Sequence, residues 1–290
     1  YNVCSMSSST CKDQQDRCIR PSYLWSSSPD CSSGFSHEYG GSFTNYCGYH
    51  ALDITNTLLP SYKWAINGIS PSDAPYLGEP WSHMAIGWTK IEGKETWIGV
   101  IGGGYCPPSN NNCGNRGRGL FVIKLENGSV LKAFTGFTDF AMPAGPAIVD
   151  TDKDYFIDTI YAGDLQGNVW RFNLCNKNSP SNCKESDWTY NKLFDATGGG
   201  EGARPIYGQI TAARDPNGGL WIYWVTGDKS DPLASSTNER VYGVKEELPN
   251  QSTTFTVSNL RNVTSSAQSC SLNDQGWFIN FTGSEKAFSD

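Results

Sequence analysis

The chain has 290 residues, 38% of them hydrophobic, enough apolar material for one large domain or two modest ones. Lys and Arg total 22 against 29 Asp and Glu, and the net charge of −7 argues against a nucleic-acid partner, whose phosphate backbone needs clustered cations. No run approaches the roughly 18 uncharged apolar residues of a membrane helix and no charged-then-apolar leader opens the chain, so the sequence predicts no span and a signal peptide already removed, with Tyr1 as the mature start.

Residues 1–46 are rich in Ser, Cys and Asp and hold no sustained period of 2 or 3.6, so they read as an irregular, disulfide-stapled segment preceding a domain over 47–290. The 10 cysteines form an even count without the paired CxxC spacing of a zinc site or the CxxCH of an attached haem, which points to disulfides and an exported protein. "CPPSNNNC" predicts a local bridge between Cys106 and Cys113, and "CNKNSPSNC" one between Cys175 and Cys183. Cys4, Cys11, Cys18, Cys31, Cys47 and Cys270 leave their connectivity open, with a mild preference for Cys11 with Cys18. Sequons at Asn127, Asn250, Asn262 and Asn280 fit an exported surface, but the abundance of Asn, Ser and Thr produces such matches by chance.

From residue 47 the chain becomes a series of short β-like runs bounded by Gly, Pro, Asn and Asp. In order they are "GYHALDIT", "KWAING", "HMAIGWTKI", "TWIGVIGGGY", "GLFVIKLENGSVLKAF", "PAIVDTD", "DTIYAGD", "NVWRFNL", "GLWIYWVTGD", "RVYGVKE" and "GWFINFTG". No long amphipathic helix interrupts them, and the hairpin signals "ENGS" and "PNGG" leave a sandwich, a barrel or a propeller. A repeat selects the propeller: a small turn, an apolar strand carrying an aromatic residue and a polar turn recur as "CGYHALDITN", "RGLFVIKLENG", "QGNVWRFNL" and "RVYGVKEE", about one four-stranded blade apart. "WIGVIGGGY", "TIYAGD" and "WIYWVTGD" supply glycine-ended strands ahead of three of these, small residues where blades crowd the axis. The runs "GGGY" at 102–105, "GNRGRG" at 114–119 and "GGGEG" at 198–202 lack the GK[ST] of a phosphate loop and read as tight turns.

The chemically distinctive stretch is "DTDKDYFID". Asp150, Asp152, Asp154 and Asp158 fall at positions 1, 3, 5 and 9 of an EF-hand-like loop and the Phe156 carbonyl at position 7, five oxygens that can converge on Ca²⁺. Without an ion, neighbouring carboxylates repel by about 1 kcal/mol per pair even in water. Position 6 is Tyr155 where glycine is usual, and position 12 is Tyr161 where a bidentate Glu is usual. With β-like flanks, these departures replace the helix-loop-helix reading by a calcium loop joining two strands; the alternative is an ion-free, solvated acidic tip.

Other site chemistry finds little support. His37, His50 and His83 stand apart without HExxH or HxH, no GxSxG elbow occurs, and the cysteines read as structural, so zinc and nucleophilic hydrolysis are set aside. Asp164 and Arg171, around "GDLQGNVWR", are expected to form a buried ion pair or to cap a hairpin. The 10 tryptophans read as blade-docking residues ahead of a sugar or partner surface.

"GYHALDITN", "LGEPWSHMAIG", "WIGVIGGGY", "RGRGLFVIKLENGSVLKAF" and "AIVDTDKDYFIDTIYAGDLQGNVWRFNL", followed by "DPNGGLWIYWVTGD", "RVYGVKEE", "GWFINF" and "GSEKAFSD", resemble consecutive segments of the C-terminal β-propeller of PilC/PilY-type type IV pilus biogenesis and tip-adhesin proteins. The resemblance covers about residues 47–290. It implies calcium ligands at Asp150, Asp152, Asp154, the Phe156 carbonyl and Asp158, with Tyr155 standing where the family has glycine. It implies further a non-enzymatic, extracellular, pilus-associated protein in which calcium binding controls extension and retraction, promoting assembly, surface attachment and twitching motility. Expected partners are pilus subunits and surface or host receptors.

Beside the family the sequence reads as incomplete, stopping at "EKAFSD" where another strand would follow, so open blade edges and self-association are expected. Two alternatives remain: a structural subunit of an extracellular filament, and a quinoprotein-type dehydrogenase, whose vicinal Cys-Cys pair does not occur here.

Overall fold

The computed structural model describes residues 48–106, 113–200, 202–233, 239–265, 274–283 and 285–287. Cys4, Cys11, Cys18, Cys31, Cys47, Cys270 and the expected boundary at 46 to 47 lie outside the described residues. Both local disulfides are present, Cys106 to Cys113 and Cys175 to Cys183, each with Cα atoms 5.9 Å apart. The chain divides into two compact units, residues 1–65 and 66–290.

In the first unit the described residues contain an antiparallel hairpin of β1 (His50–Asp53) and β2 (Ser61–Ala65). In the second, β3 (Ala85–Ile91), β4 (Lys94–Gly102), β5 (Leu120–Lys124) and β6 (Val130–Phe134) form an antiparallel meander. A second meander follows from β7 (Ala147–Val149), β8 (Thr159–Gly163), β9 (Val169–Asn173) and β10 (Thr189–Phe194). The third sheet has β11 (Thr211–Arg214), β12 (Leu220–Val225), β13 (Arg240–Lys245) and β15 (Gly276–Asn280), with the two-residue β14 (Arg261–Asn262) parallel to β15 at its edge. No α-helix occurs among the described residues. These are propeller blades, and three of the four instances of the sequence repeat coincide with β5, β9 and β13, the third strand of each, whereas "CGYHALDITN" falls on β1 of the two-stranded hairpin; the glycine-ended runs coincide with β4, β8 and β12.

β10, β11 and β14 are absent from the β-like runs of the sequence. An outermost strand needs little apolar surface, and in β10 ("TYNKLF") only Leu193 and Phe194 are buried. β11 ("TAAR") is short and alanine-rich, and takes its form from pairing with β12.

Stacking explains why β8 and β9 read as nearly continuous apolar runs. Ile160, Ala162, Trp170 and Phe172 join Ile98, Val100, Leu120, Val122 and Phe134 in one core between the first and second sheets. Tyr161 and Val169, from the opposite face of the same strands, join Ile222, Trp224, Tyr242, Val244 and Phe278 in a second core against the third sheet. Each fully buried Leu, Ile or Phe contributes about 1.5–3 kcal/mol, well above the 0–1 kcal/mol of an exposed ion pair, so blade stacking carries the stability. Trp170, Trp188 and Trp224 are buried in these cores, whereas Trp88 and Trp97 stay exposed as a cross-strand pair with ring centroids 5.2 Å apart.

The run Gly102–Gly104 is not the tight turn that the sequence suggests. It continues the end of β4 past other backbone, and a Cβ at Gly102 would lie 2.2 Å from the Met142 carbonyl oxygen and one at Gly104 2.1 Å from that of Glu79. Absence of a side chain is what lets these segments touch.

Arg171 finds a different partner from the one the sequence suggested. Its guanidinium donates to both carboxylate oxygens of Glu246, Nε to Oε2 at 2.8 Å and Nη2 to Oε1 at 2.9 Å, with both side chains fully buried between the second and third sheets. The Tyr161 hydroxyl donates to Glu246 Oε2 at 2.7 Å, and burial, with the adjacent Glu246 charge, pushes this phenol well above its ordinary pKa. Asp164 instead caps the β8–β9 hairpin, accepting from the backbone N–H groups of Gln166 and Asn168 at 3.0 Å and from Trp170 Nε1 at 2.8 Å. Asp215 repeats the device between β11 and β12, accepting from the N–H groups of Asn217 and Gly219 and from Trp221 Nε1.

Removing one member of a buried ion pair leaves a charge without a partner in a dry interface. Arg171→Met is therefore expected to cost about 3–5 kcal/mol, read as a lower urea midpoint, whereas Lys124→Met, at an exposed pair with Glu126, should leave the midpoint unchanged.

Candidate metal centre

The acidic stretch is the connection from β7 to β8, and its first and last carboxylates organise it. Asp150 Oδ1 accepts from the backbone N–H of Lys153 at 2.6 Å and of Asp154 at 3.2 Å, and Oδ2 from that of Tyr155 at 2.8 Å. Asp158 closes the other end: both its oxygens accept from the Thr151 N–H at 3.1 Å, Oδ2 accepts from the Asp152 N–H at 3.2 Å, and Oδ1 from the Thr151 and Thr159 hydroxyls at 2.8 Å. Carboxylates suit this role because each offers several lone pairs to a bend whose N–H groups have no ladder partner.

The bend turns sharply enough to force Lys153 to φ 65° and Tyr155 to φ 74°. Left-handed backbone costs a residue with a Cβ roughly 1–2 kcal/mol, which is the physical reason for glycine at the sixth loop position. Tyr155 adopts the conformation nonetheless and is 82% exposed.

Asp150, Asp152 and Asp158 each bring an oxygen within 4.8 Å of the others. Asp152 Oδ2 accepts from the Lys177 N–H at 2.7 Å, whereas its Oδ1 is buried without a hydrogen-bond partner. A buried carboxylate oxygen costs free energy unless something positive meets it, and the donor set here is entirely hard oxygen. These residues fit a hard divalent cation. Burial pushes the Asp158 carboxyl above the ordinary range; the Thr151 and Thr159 hydroxyls pull the other way and the Asp152 charge adds to the rise.

Asp154 stands outside this trio. Its Oδ1 accepts from the Phe156 N–H at 3.0 Å and its Oδ2 lies 3.6 Å from Lys90 Nζ, on β3. Phe156 turns its ring to Trp88, with centroids 5.6 Å apart, beneath the Lys90 ammonium. Tyr161, at the twelfth position, belongs to β8 and the Arg171–Glu246 network, so the loop ends functionally at Asp158.

Three cations from distant sequence hold the loop in place. Lys177, in the loop closed by Cys175 and Cys183, donates through Nζ to the Asp152 carbonyl at 2.7 Å. Arg214, at the end of β11, donates through Nη2 to the carbonyls of Asp150 and Thr151 at 3.0 Å. With Lys90 from the first sheet, all three blades contact one loop. None of these residues carried a sequence signal, because each lies more than 20 positions from its partner.

Three comparisons bear on the whole arrangement. A family model described as the PilY1 beta-propeller domain matches residues 77–218, which span β3 to β11 and include the acidic loop. A "Type IV pilus biogenesis factor PilY1 homolog" of Xylella fastidiosa is 28% identical over 207 residues, covering 65% of this chain and 13% of that protein. The "Type IV pilus biogenesis factor PilY1" of Pseudomonas aeruginosa strain PAO1 is 29% identical over 173 residues, covering 57% of this chain and 14% of that protein. The chain thus spans only about one seventh of the length of these relatives. The crystal structure of the Pseudomonas aeruginosa PilY1 C-terminal domain superposes with a TM-score of 0.62 at 21% identity, over 82% of this chain and 57% of that one, a likeness of fold.

The strain at the sixth loop position yields a direct test. Tyr155→Gly is expected to relieve the left-handed cost while adding unfolded-state freedom, for a net gain of up to about 1 kcal/mol, visible as a raised thermal midpoint. A lowered midpoint would mean that the tyrosine ring contributes contacts worth more than the strain.

Proposed function

We propose that this chain, whose residues 77–218 match the family model of the PilY1 beta-propeller domain, contributes a calcium-binding propeller to a type IV pilus biogenesis factor at the outer cell surface. The observation that carries the calcium reading is Asp152 Oδ1, buried and unpartnered beside the Asp150 and Asp158 carboxylates. Asp150, Asp152 and Asp158 hold the ion, and Asp154 and the Phe156 carbonyl complete the set as the loop closes. A bound divalent cation turns the mutual repulsion of the carboxylates, about 1 kcal/mol per pair at 4 Å in water, into cohesion.

The ion's role follows from what the loop touches. Lys90, Lys177 and Arg214 tie it to three blades, so loading and release alter how firmly those blades are joined. That mechanical link supports a propeller whose calcium state biases pilus extension against retraction, with pilus subunits as partners and surfaces or host receptors as adhesion targets. Two disulfides fit an oxidising, extracellular setting, and no helix among the described residues is long and apolar enough to cross a membrane. The matched relatives are named as pilus biogenesis factors, and the quinone-dehydrogenase alternative draws no support from them.

Thermal unfolding with calcium and with a chelator tests the site. Calcium at about 100 times its dissociation constant, bound only by the native form, adds roughly 2.7 kcal/mol, and Asp152→Ala should erase most of that difference. Identical midpoints with and without the ion would remove the calcium assignment. The cellular role is tested by placing Asp152→Ala in the native gene and measuring surface piliation and twitching; unaltered pili and motility despite lost calcium binding would separate the ion from pilus control.

A further inference from the structure

We infer that Lys90 competes within the molecule with the divalent cation for the Asp154 carboxylate, and thereby sets how readily the loop loads and releases its ion. The inference rests on the calcium reading of the loop and adds its regulation.

Asp150, Asp152 and Asp158 are already gathered, and Asp154 is the one carboxylate of the four not grouped with the others. It is held by Lys90, whose Nζ lies 3.6 Å from Asp154 Oδ2 and 3.9 Å from the centre of the Phe156 ring. The ammonium thus bridges the two loop residues that complete the ligand set, one through its carboxylate and one through its ring. For Asp154 to close on the ion, this ion pair has to open. The freed ammonium then stands near a doubly charged ion at the solvent-exposed edge of the loop.

Lys177 acts differently. Its backbone N–H fixes Asp152 Oδ2, leaving Oδ1 available, and its ammonium binds a carbonyl, so it competes for no carboxylate. Arg214 likewise meets the loop through the carbonyls of Asp150 and Thr151, and its Nη1 donates to the Gly218 carbonyl. Among the described residues, Lys90 is the cation whose ammonium pairs with a carboxylate oxygen of the loop, Asp154 Oδ2, while Asp154 Oδ1 accepts from the Phe156 N–H.

The test is calcium titration by calorimetry on the wild type, Lys90→Met, Lys90→Arg and Lys94→Met, the last an exposed lysine on the same β3–β4 hairpin that controls for net charge. Lys90→Met is expected to bind calcium about three- to tenfold more tightly, with the gap narrowing at high NaCl, while Lys90→Arg and Lys94→Met follow the wild type. Should Lys90→Met fail to fold, Lys90→Gln removes the same charge with a polar side chain and carries the same expectation. Equal or weaker binding by a folded, charge-free variant overturns the competition, as does an equal gain in Lys90→Arg or Lys94→Met. A wild type that binds no calcium at millimolar concentration overturns the loop reading itself, a result distinct from normal binding that ignores Lys90.

Discussion

The second sheet of the propeller is buried on both faces, and that constraint governs everything else in the second unit. Alternate residues of β8 and β9 serve opposite cores, Ile160, Ala162 and Phe172 on one side and Tyr161 and Val169 on the other. A strand in that position has no solvent-facing side to hold a charge, so the one charge it carries, on Arg171, must be paired across the interface. Glu246, Asn191 and the Gln251 carbonyl take up its donors, the Tyr161 hydroxyl donates to the same Glu246 carboxylate, and the pairing ties the second sheet to the third.

The acidic loop is a consequence of the same stacking. Because it leaves the second sheet between the first and the third, it lies within reach of both, and Thr89 and Trp88 of β3 fasten its end through the Ile157 backbone. Arg214 reaches it from β11 on the other side. A carboxylate cluster on a free hairpin tip would relax its repulsion by splaying into water. Here the backbone is clamped from both sides, so the oxygens stay gathered and Asp152 Oδ1 remains without a partner. Function in this reading belongs to the junction of blades as much as to the loop.

The cations around the loop divide the work by what they touch. Lys177 and Arg214 bind carbonyls and leave the carboxylates available, whereas Lys90 occupies a carboxylate. Scaffold and regulator are thus built from residues of the same charge, distinguished only by the oxygen they meet.

Much of this was legible in the sequence because it depends on short separations. Strand alternation, the bridges from Cys106 to Cys113 and from Cys175 to Cys183, the hairpin cap at Asp164 and the spacing of Asp150, Asp152 and Asp158 all follow from backbone geometry over a few residues. What the chain order could not disclose are the contacts that form only when separate sheets stack: Arg171 with Glu246 rather than Asp164, Asp154 turned to Lys90, and Gly102 pressed on the Met142 carbonyl. Local spacing decides which oxygens can gather, but the partner of a buried or bridging charge depends on which surface arrives opposite it, and that is settled only by packing of the whole unit.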